Sequence, residues 1–301
     1  MPIGKPRLSL GGLAVEQSLV SVGFDCDTPG AALIETAPPT VRYRTVLVQN
    51  AWNVLPDGAF QKHLKRYPRS HRRRATARRA LARWNLCRTA KVVCLTHAVA
   101  SLVNQSLGIR SVVAEATVPV HDWSIHDRHL KKSENAKPAY ALVPGTITWY
   151  KRPQAALDWL AEHEPNIRQI KIIGKDDGSG CLQDLQRSAE ERSLLIEQQV
   201  VDHANLYPLY AAAAVTILPS SLESLGLGLS EALVHASRVV ASAIPAHREI
   251  AGRVGTEAEW MFTSSSSGGE QVRPSRASQI TLEEARTEWR RVGEELELAS
   301  L

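Results

Sequence analysis

"VTILPSSLESLGLGLSEALVHASRVVASAI", residues 215–244, reads as two apolar strands joined by a helix. "VTILPS" and "RVVASAI" are short apolar runs of strand length, and "LSEALVHA" between them has helical spacing. Between the first strand and the helix lies a loop with Glu223, Gly226 and Gly228. A strand, a helix and a second strand of this size argue for a β-α-β unit, which implies a parallel sheet covered on both faces.

The same alternation extends in both directions from that stretch. Upstream come "YALVPGTI" as a strand and "PQAALDWLAEH" as a helix with Pro153 suited to its first turn. "IRQIKIIG", "SLLIEQQVV" read as strands, and "CLQDLQRSAEER", "NLYPLYAAAA" as helices; downstream, "HREIAG" reads as a short helix. The second half of the chain is therefore expected to be a Rossmann-like α/β domain.

The first half is expected to be a smaller α/β domain. "YRTVLVQN", "AKVVCLTH" and "RSVVAEATV" read as strands, with a long basic helix between the first two, and "GGLAVEQSLVSVG" as a glycine turn opening a helix. The polar run "HDWSIHDRHLKKSENAKP" reads as a connector. These divisions give an N-terminal domain over 1–135, a second domain over 136–280, and a C-terminal helix over 281–301; the family resemblance set out below implies the acceptor side for the first and donor binding for the second. That helix, "TLEEARTEWRRVGEELELA", is opened by a threonine cap and is expected to pack back across the domain junction. "TSSSSGGEQ" before it reads as a flexible surface loop.

With 301 residues the chain can bury a sizeable core. No apolar run approaches the roughly 18 residues of a membrane span, and "MPIGKPRLSLGG" lacks the apolar core of a secretion signal, so a cytoplasmic location is expected. The four cysteines are scattered and read as reduced. A net charge of +5 conceals an uneven distribution, because Lys62 to Lys91 contains no acidic residue. That stretch implies a solvated helix face or an anionic partner such as a membrane surface. Its aromatics, Tyr67 and Trp84, are too sparse for a nucleic-acid stacking platform.

The chemistry concentrates after the strand "VTILP". In open α/β sheets ligands bind at the C-terminal ends of strands, where Glu223 falls. Gly226 and Gly228 allow a tight turn, and Ser230 and Glu231 are expected to open the next helix, whose free N–H groups favour an anion such as a diphosphate. Ionised carboxylates there need hydroxyl partners. A nucleotide sugar, with a diphosphate between two hydroxyl-bearing ends, meets both demands. The plain alternative is a structural turn, with Glu231 complementing a helix dipole. "GKDDGSG", residues 174–180, lacks the GK-[ST] ending of a P-loop and reads as a loop after a strand.

Residues 206–252, "LYPLYAAAAVTILPSSLESLGLGLSEALVHASRVVASAIPAHREIAG", resemble the donor-binding half of retaining GT-B glycosyltransferases of family 4, the group 1 type. An alanine-rich helix end, a strand, "PS", a glutamate, a G-L pair, "EA", a strand ending in "AS", and an "E-I" pair follow in the family's order. The likeness extends to "VPGTITWYKRPQAAL" and "IKIIGKDDG" and thins out in the first half, where "VLVQNAW" and "CLTHAVASL" share general features only. The resemblance implies that Glu223 contacts hydroxyls of the transferred sugar, that backbone amides of Leu225, Gly226 and Leu227 hold sugar and diphosphate, and that Glu231 binds the ribose. Lys151 matches the family's phosphate-binding lysine. The family's arginine after the glycine of the first donor-domain strand, here Gly145, is replaced by Thr146. That phosphate contact is either missing or supplied by Arg152. Gly11, Gly12 and Asn50 are the candidates on the acceptor side.

The resemblance thus implies a GT-B architecture, two Rossmann-like domains facing a cleft, with the N-terminal one short. The implied activity is retaining transfer of a sugar from a nucleoside-diphosphate sugar to an acceptor hydroxyl of a glycan or lipid-linked acceptor, as in cell-envelope or surface polysaccharide or glycolipid synthesis. No cofactor and no bound metal are implied, since lysine, arginine and helix dipoles stabilise the phosphates. His121, His126 and His129 with Asp122 and Asp127 read as surface residues of the connector rather than a metal site. Two rival readings are a non-catalytic nucleotide-sugar-binding or scaffold protein, and a glycoside hydrolase using Glu223 and Glu231 as its carboxylate pair.

Overall fold

The computed structural model describes residues 10–23, 31–37, 42–116, 140–202, 205–254, 258–261 and 281–297. The connector with its histidines and the serine-rich loop lie outside the described residues. By compactness the chain divides into two units, one made of 1–62, 72–121 and 281–301, the other of 63–71 and 122–280.

In the first unit a parallel sheet has the order β1-β2-β3-β4, formed by Ala31–Ala32, Thr45–Val48, Lys91–Cys94 and Val112–Val113. Val46, Leu47, Val48, Val92, Val93 and Cys94 are all buried, as expected for strands covered on both faces. Helix α1, Leu10–Ser21, starts before Gly11 and Gly12, so these two glycines lie inside its first turn and do not form a turn that precedes it. The basic stretch forms two helices, α2 (Asp57–Leu64) and α3 (Arg69–Arg88), separated around Pro68. Part of its charge is used inside the fold. Arg79 donates to Leu55 O and to Asp57 Oδ1, both at 2.6 Å, and covers the Phe60 ring; Arg83 donates to Ser106 O. Arg72, Arg73, Arg74 and Arg78 remain exposed. Helix α4 (His97–Leu107) starts at Thr96, whose hydroxyl accepts from Val99 N, and ends at the left-handed Gly108.

Glu35 is buried behind β1 and accepts from Gln49 N–H and from Asn53 Nδ2, which ties the segment after β1 to the end of β2. Burial raises its pKa against these hydrogen bonds. Asn50 caps the 3-10 turn Ala51–Val54 by accepting from Trp52 N.

The last helix of the chain, Leu282–Glu297, also packs in the first unit. Thr281 and Glu284 form a reciprocal capping box: Thr281 Oγ1 accepts from Glu284 N, and Glu284 Oε2 accepts from Thr281 N. Ala285, Trp289, Val292 and Leu296 recur at helical spacing and are fully buried, and Lys91 pairs with Glu295 at 2.5 Å.

The second unit carries six parallel strands: β5 (Tyr140–Pro144), β6 (Gln169–Ile173), β7 (Leu195–Gln199), β8 (Val215–Leu218), β9 (Val239–Ser242) and β10 (Glu259–Met261). Their order is β10-β9-β8-β5-β6-β7. Counted from β5, this is the doubly wound order 3-2-1-4-5-6 read from one edge, and its direction reverses between β5 and β8. Between the strands run helices α5 (Pro153–His163), α6 (Cys181–Glu191), α7 (Leu206–Ala212), α8 (Leu227–His235) and α9 (Pro245–Val254). Arg238, at the entry to β9, bonds Glu259 of β10 through Nε at 2.6 Å and pairs with Glu164 after α5.

Candidate nucleotide-sugar site

The reversal between β5 and β8 opens a crevice at the C-terminal ends of those two strands. A depression there is lined by Pro144, Gly145, Thr146 and Lys151 from the β5 side and by Leu218, Pro219 and Ser220 from the β8 side. Two segments far apart in sequence therefore meet at one place.

Gly145 has a φ of 116°, a conformation open to glycine and strained for other residues. Its carbonyl packs so closely on Gly174 that a Cβ there would stand 2.0 Å from Gly145 O. Thr146 is exposed at the rim. After it, the 3-10 turn Trp149–Lys151 presents Lys151, and Arg152 follows with φ 52° between this turn and α5. A left-handed arginine there turns the chain sharply enough for Pro153 to open α5.

Lys151 Nζ donates to Glu223 Oε1 at 2.5 Å. The pair is mostly buried, with side-chain exposures of 25% for Lys151 and 12% for Glu223. Burial alone would raise the Glu223 pKa, but the charges of Lys151 and His247 and hydrogen bonds from Lys151 and Ser220 outweigh it, and the net direction is down. For Lys151 burial acts downward and the Glu223 carboxylate overrides it, so its pKa lies above the usual lysine value. The two loops are also tied through backbone, since Ser221 N and Ser221 Oγ both donate to Tyr150 O, at 2.7 and 2.9 Å.

Gly226 takes a left-handed conformation with φ 70° and caps α8, which therefore begins at Leu227, two residues earlier than the spacing of "LSEALVHA" suggests. Ser230 and Glu231 do not open the helix; they sit in its second turn, both buried. Gly226 O accepts from Leu229 N and Ser230 N, at 2.8 and 3.1 Å, and the amides of Leu227 and Gly228 open the helix ahead of these bonds, next to the left-handed Gly226 and the buried Leu225. Glu231 Oε2 accepts from the hydroxyl of Tyr210, a fully buried residue of α7 whose hydroxyl also lies 3.3 Å from Gly228 O. Burial, reinforced by Glu231, pushes the Tyr210 pKa well above its ordinary value.

The structure thus brings Gly145, Thr146, Lys151 and Glu223 together and gives Glu231 a separate partner. Gly11, Gly12 and Asn50 belong to the first unit. No motif in the sequence marks Tyr210 or His247, since each lies within a helix and meets its partners only through the fold.

A doubly wound parallel sheet with a glycine turn, a lysine and a carboxylate at its switch point defines a Rossmann-like unit. With the parallel sheet of the first unit, the fold is α/β of GT-B type. Residues 125–257 match the model of the family described as glycosyl transferases group 1, so the second unit bears the resemblance read from residues 206–252. Among solved structures, sucrose-phosphate synthase from Thermosynechococcus elongatus matches with a TM-score of 0.54 at 15% identity, over 86% of this chain and 64% of that one. The α,α-trehalose-phosphate synthase (UDP-forming) from Burkholderia xenovorans, in complex with glucose-6-phosphate, matches with a TM-score of 0.49 at 14% identity, over 86% and 66%. The α,α-trehalose 6-phosphate synthase from Burkholderia multivorans matches with a TM-score of 0.48 at 10% identity, over 85% and 62%. The chain spans less than two thirds of the length of these structures. No curated protein matches the sequence.

Proposed function

We propose that this chain is a retaining glycosyltransferase that moves a sugar from a nucleoside-diphosphate sugar to an acceptor hydroxyl. The observation that carries this reading is the Lys151–Glu223 pair at the switch point, beside the N-terminus of α8.

An ammonium has three N–H donors, so Lys151 can hold Glu223 with one and meet a phosphate with the others. The ion pair fixes the carboxylate so that its remaining lone pairs accept sugar hydroxyls. As the bond between the anomeric carbon and the diphosphate oxygen breaks, negative charge grows on the leaving group, and Lys151 and the first turn of α8 stabilise it. The acceptor hydroxyl attacks from the same face and passes its proton to the departing oxygen. No protein nucleophile and no metal take part in this scheme. Glu231, steadied by Tyr210, is assigned to the ribose. The separate partners of Glu223 and Glu231 weigh against a hydrolase pair flanking one glycosidic bond.

Among the described residues no helix is long and apolar enough to cross a membrane. The exposed arginines of α3 support peripheral contact with an anionic membrane surface carrying a lipid-linked acceptor, as part of the same reading.

A thermal-shift panel of nucleoside diphosphates and their sugars tests the donor, because a ligand that binds only the folded state raises its melting temperature. A selective response, with donor turnover abolished by Lys151→Ala and Glu223→Ala, is the expected result. Release of sugar from a glycoside with no nucleotide donor refutes the transferase reading. Tight donor binding with no turnover against any acceptor makes the chain a binding protein.

A further inference from the structure

His247 occupies the first turn of α9 and is fully buried. Its Nδ1 lies 2.9 Å from Ser242 O and 3.2 Å from Ser242 Oγ. A carbonyl oxygen only accepts, so Nδ1 carries the ring proton. Burial holds the ring's pKa below the ordinary histidine value, against the Glu223 charge and the backbone hydrogen bond and with the help of Lys151. The neutral ring therefore presents Nε2 as a bare acceptor.

That Nε2 atom is buried and has no hydrogen-bond partner among the described residues. Leaving a buried acceptor unmet is costly, and native structures carry such a cost where a ligand or ordered water supplies the missing group. Its surroundings point to the candidate site. Cδ2, the ring carbon bonded to Nε2, lies 3.7 Å from where a side chain on Gly226 would begin. The side chains whose charges act on the ring are Glu223 and Lys151. On the other side of the ring, the Ser242 hydroxyl donates to Ser220 O, and the Ser220 side chain hydrogen-bonds Glu223. His247 thus sits directly under the loop that carries Glu223 and Gly226.

We propose that His247 Nε2 accepts a hydrogen bond from a hydroxyl of the transferred sugar, beside the hydroxyls assigned to Glu223, and so helps select the donor sugar. This rests on the glycosyltransferase reading above and adds a residue to it. A site built to hydrogen-bond a hydroxyl discriminates strongly against the analogue that lacks it, since its own polar atom is then left unpaired.

The test uses the full chain and calorimetric titration with UDP-glucose, UDP-galactose, ADP-glucose and GDP-mannose, alongside UDP, ADP and GDP. His247→Phe is expected to weaken the sugar nucleotide that binds by about tenfold or more while leaving the bare diphosphate within about twofold. One monodeoxy form of that sugar is expected to bind the wild-type protein with a similar loss, and to lose nothing further in the variant. An unchanged sugar nucleotide, or equal losses for sugar nucleotide and bare diphosphate, overturns the assignment. If His247→Phe does not fold, His247→Leu, which likewise removes the acceptor, takes its place, and the deoxy series on the wild-type protein still decides. Equal binding of every monodeoxy donor overturns the proposal. Failure of the wild-type protein to bind any sugar nucleotide overturns the glycosyltransferase reading, and this inference with it.

Discussion

Replacing Lys151 by methionine removes the positive partner from a carboxylate that is only 12% exposed. At 2.5 Å and an effective dielectric of about 20, the Coulomb attraction comes to roughly 7 kcal/mol before the cost of desolvating both ions. Removing one partner of a fully buried pair costs about 3–5 kcal/mol, whereas exposed pairs are worth about 0.2–1. With a quarter of the lysine still in contact with solvent, a coupling of about 2 kcal/mol is expected. In Lys151→Met the carboxylate keeps the weaker help of the Ser220 hydrogen bond. A loss of about 2 kcal/mol corresponds to roughly 4–8 °C in melting temperature for a unit of this size. Glu223→Gln alone is expected to cost less, because the more exposed ammonium can turn toward water. The assay is a double-mutant cycle by urea unfolding of wild type, both single variants and Lys151→Met/Glu223→Gln. Additivity within about 0.5 kcal/mol refutes the coupling. The pH profile gives a second check. Because the folded Glu223 pKa is lowered, the pair's contribution is present above pH 4.5 and is lost as pH falls through the folded value. Because the Lys151 pKa is raised, it is fully present below pH 10.5 and is lost as pH rises through the folded value. Lys151→Met should flatten both limbs.

Gly174→Ala places a methyl 2.0 Å from Gly145 O, so a loss of about 3 kcal/mol or a displaced Gly145–Thr146 turn is expected in the melting curve. Glu231→Ala is expected to weaken donor binding more than it slows transfer, and steady-state kinetics check this as a rise in KM larger than the fall in kcat. The depressed His247 pKa predicts stability that is full above pH 6.5 and declines as pH falls toward the folded value, a step that His247→Phe removes from the urea-melt profile. Trp289→Ala empties a fully buried site on the last helix and is expected to cost about 3–5 kcal/mol in the first unit, read by urea unfolding.

The second half of the chain was legible because its strands are short apolar runs and its helices are bounded by local signals. Pro153 marks the start of α5, which runs to His163 as its spacing predicts. The start of α8 was displaced because a left-handed glycine, not the apolar period, opens that helix. β10, three residues long, is too short to carry a pattern, and β1 and β4 of the first unit have two residues each. The basic stretch reads as one helix until Pro68 is weighed, and the fold divides it there. Lys151 and Glu223 are 72 positions apart, and their meeting depends on β5 pairing with β8, a non-local choice that spacing does not reveal. Gly174 illustrates the same gap, since only the close approach of Gly145 explains why no side chain fits.

The two hydrogen bonds from Ser221 to Tyr150 O make the segments after β5 and β8 one mechanical piece. Transplanting residues 219–226 alone into a related scaffold would therefore bring a loop without its anchor. Any attempt to alter donor choice by loop exchange has to move residues 145–152 as well, so the unit of inheritance at this site is a pair of loops.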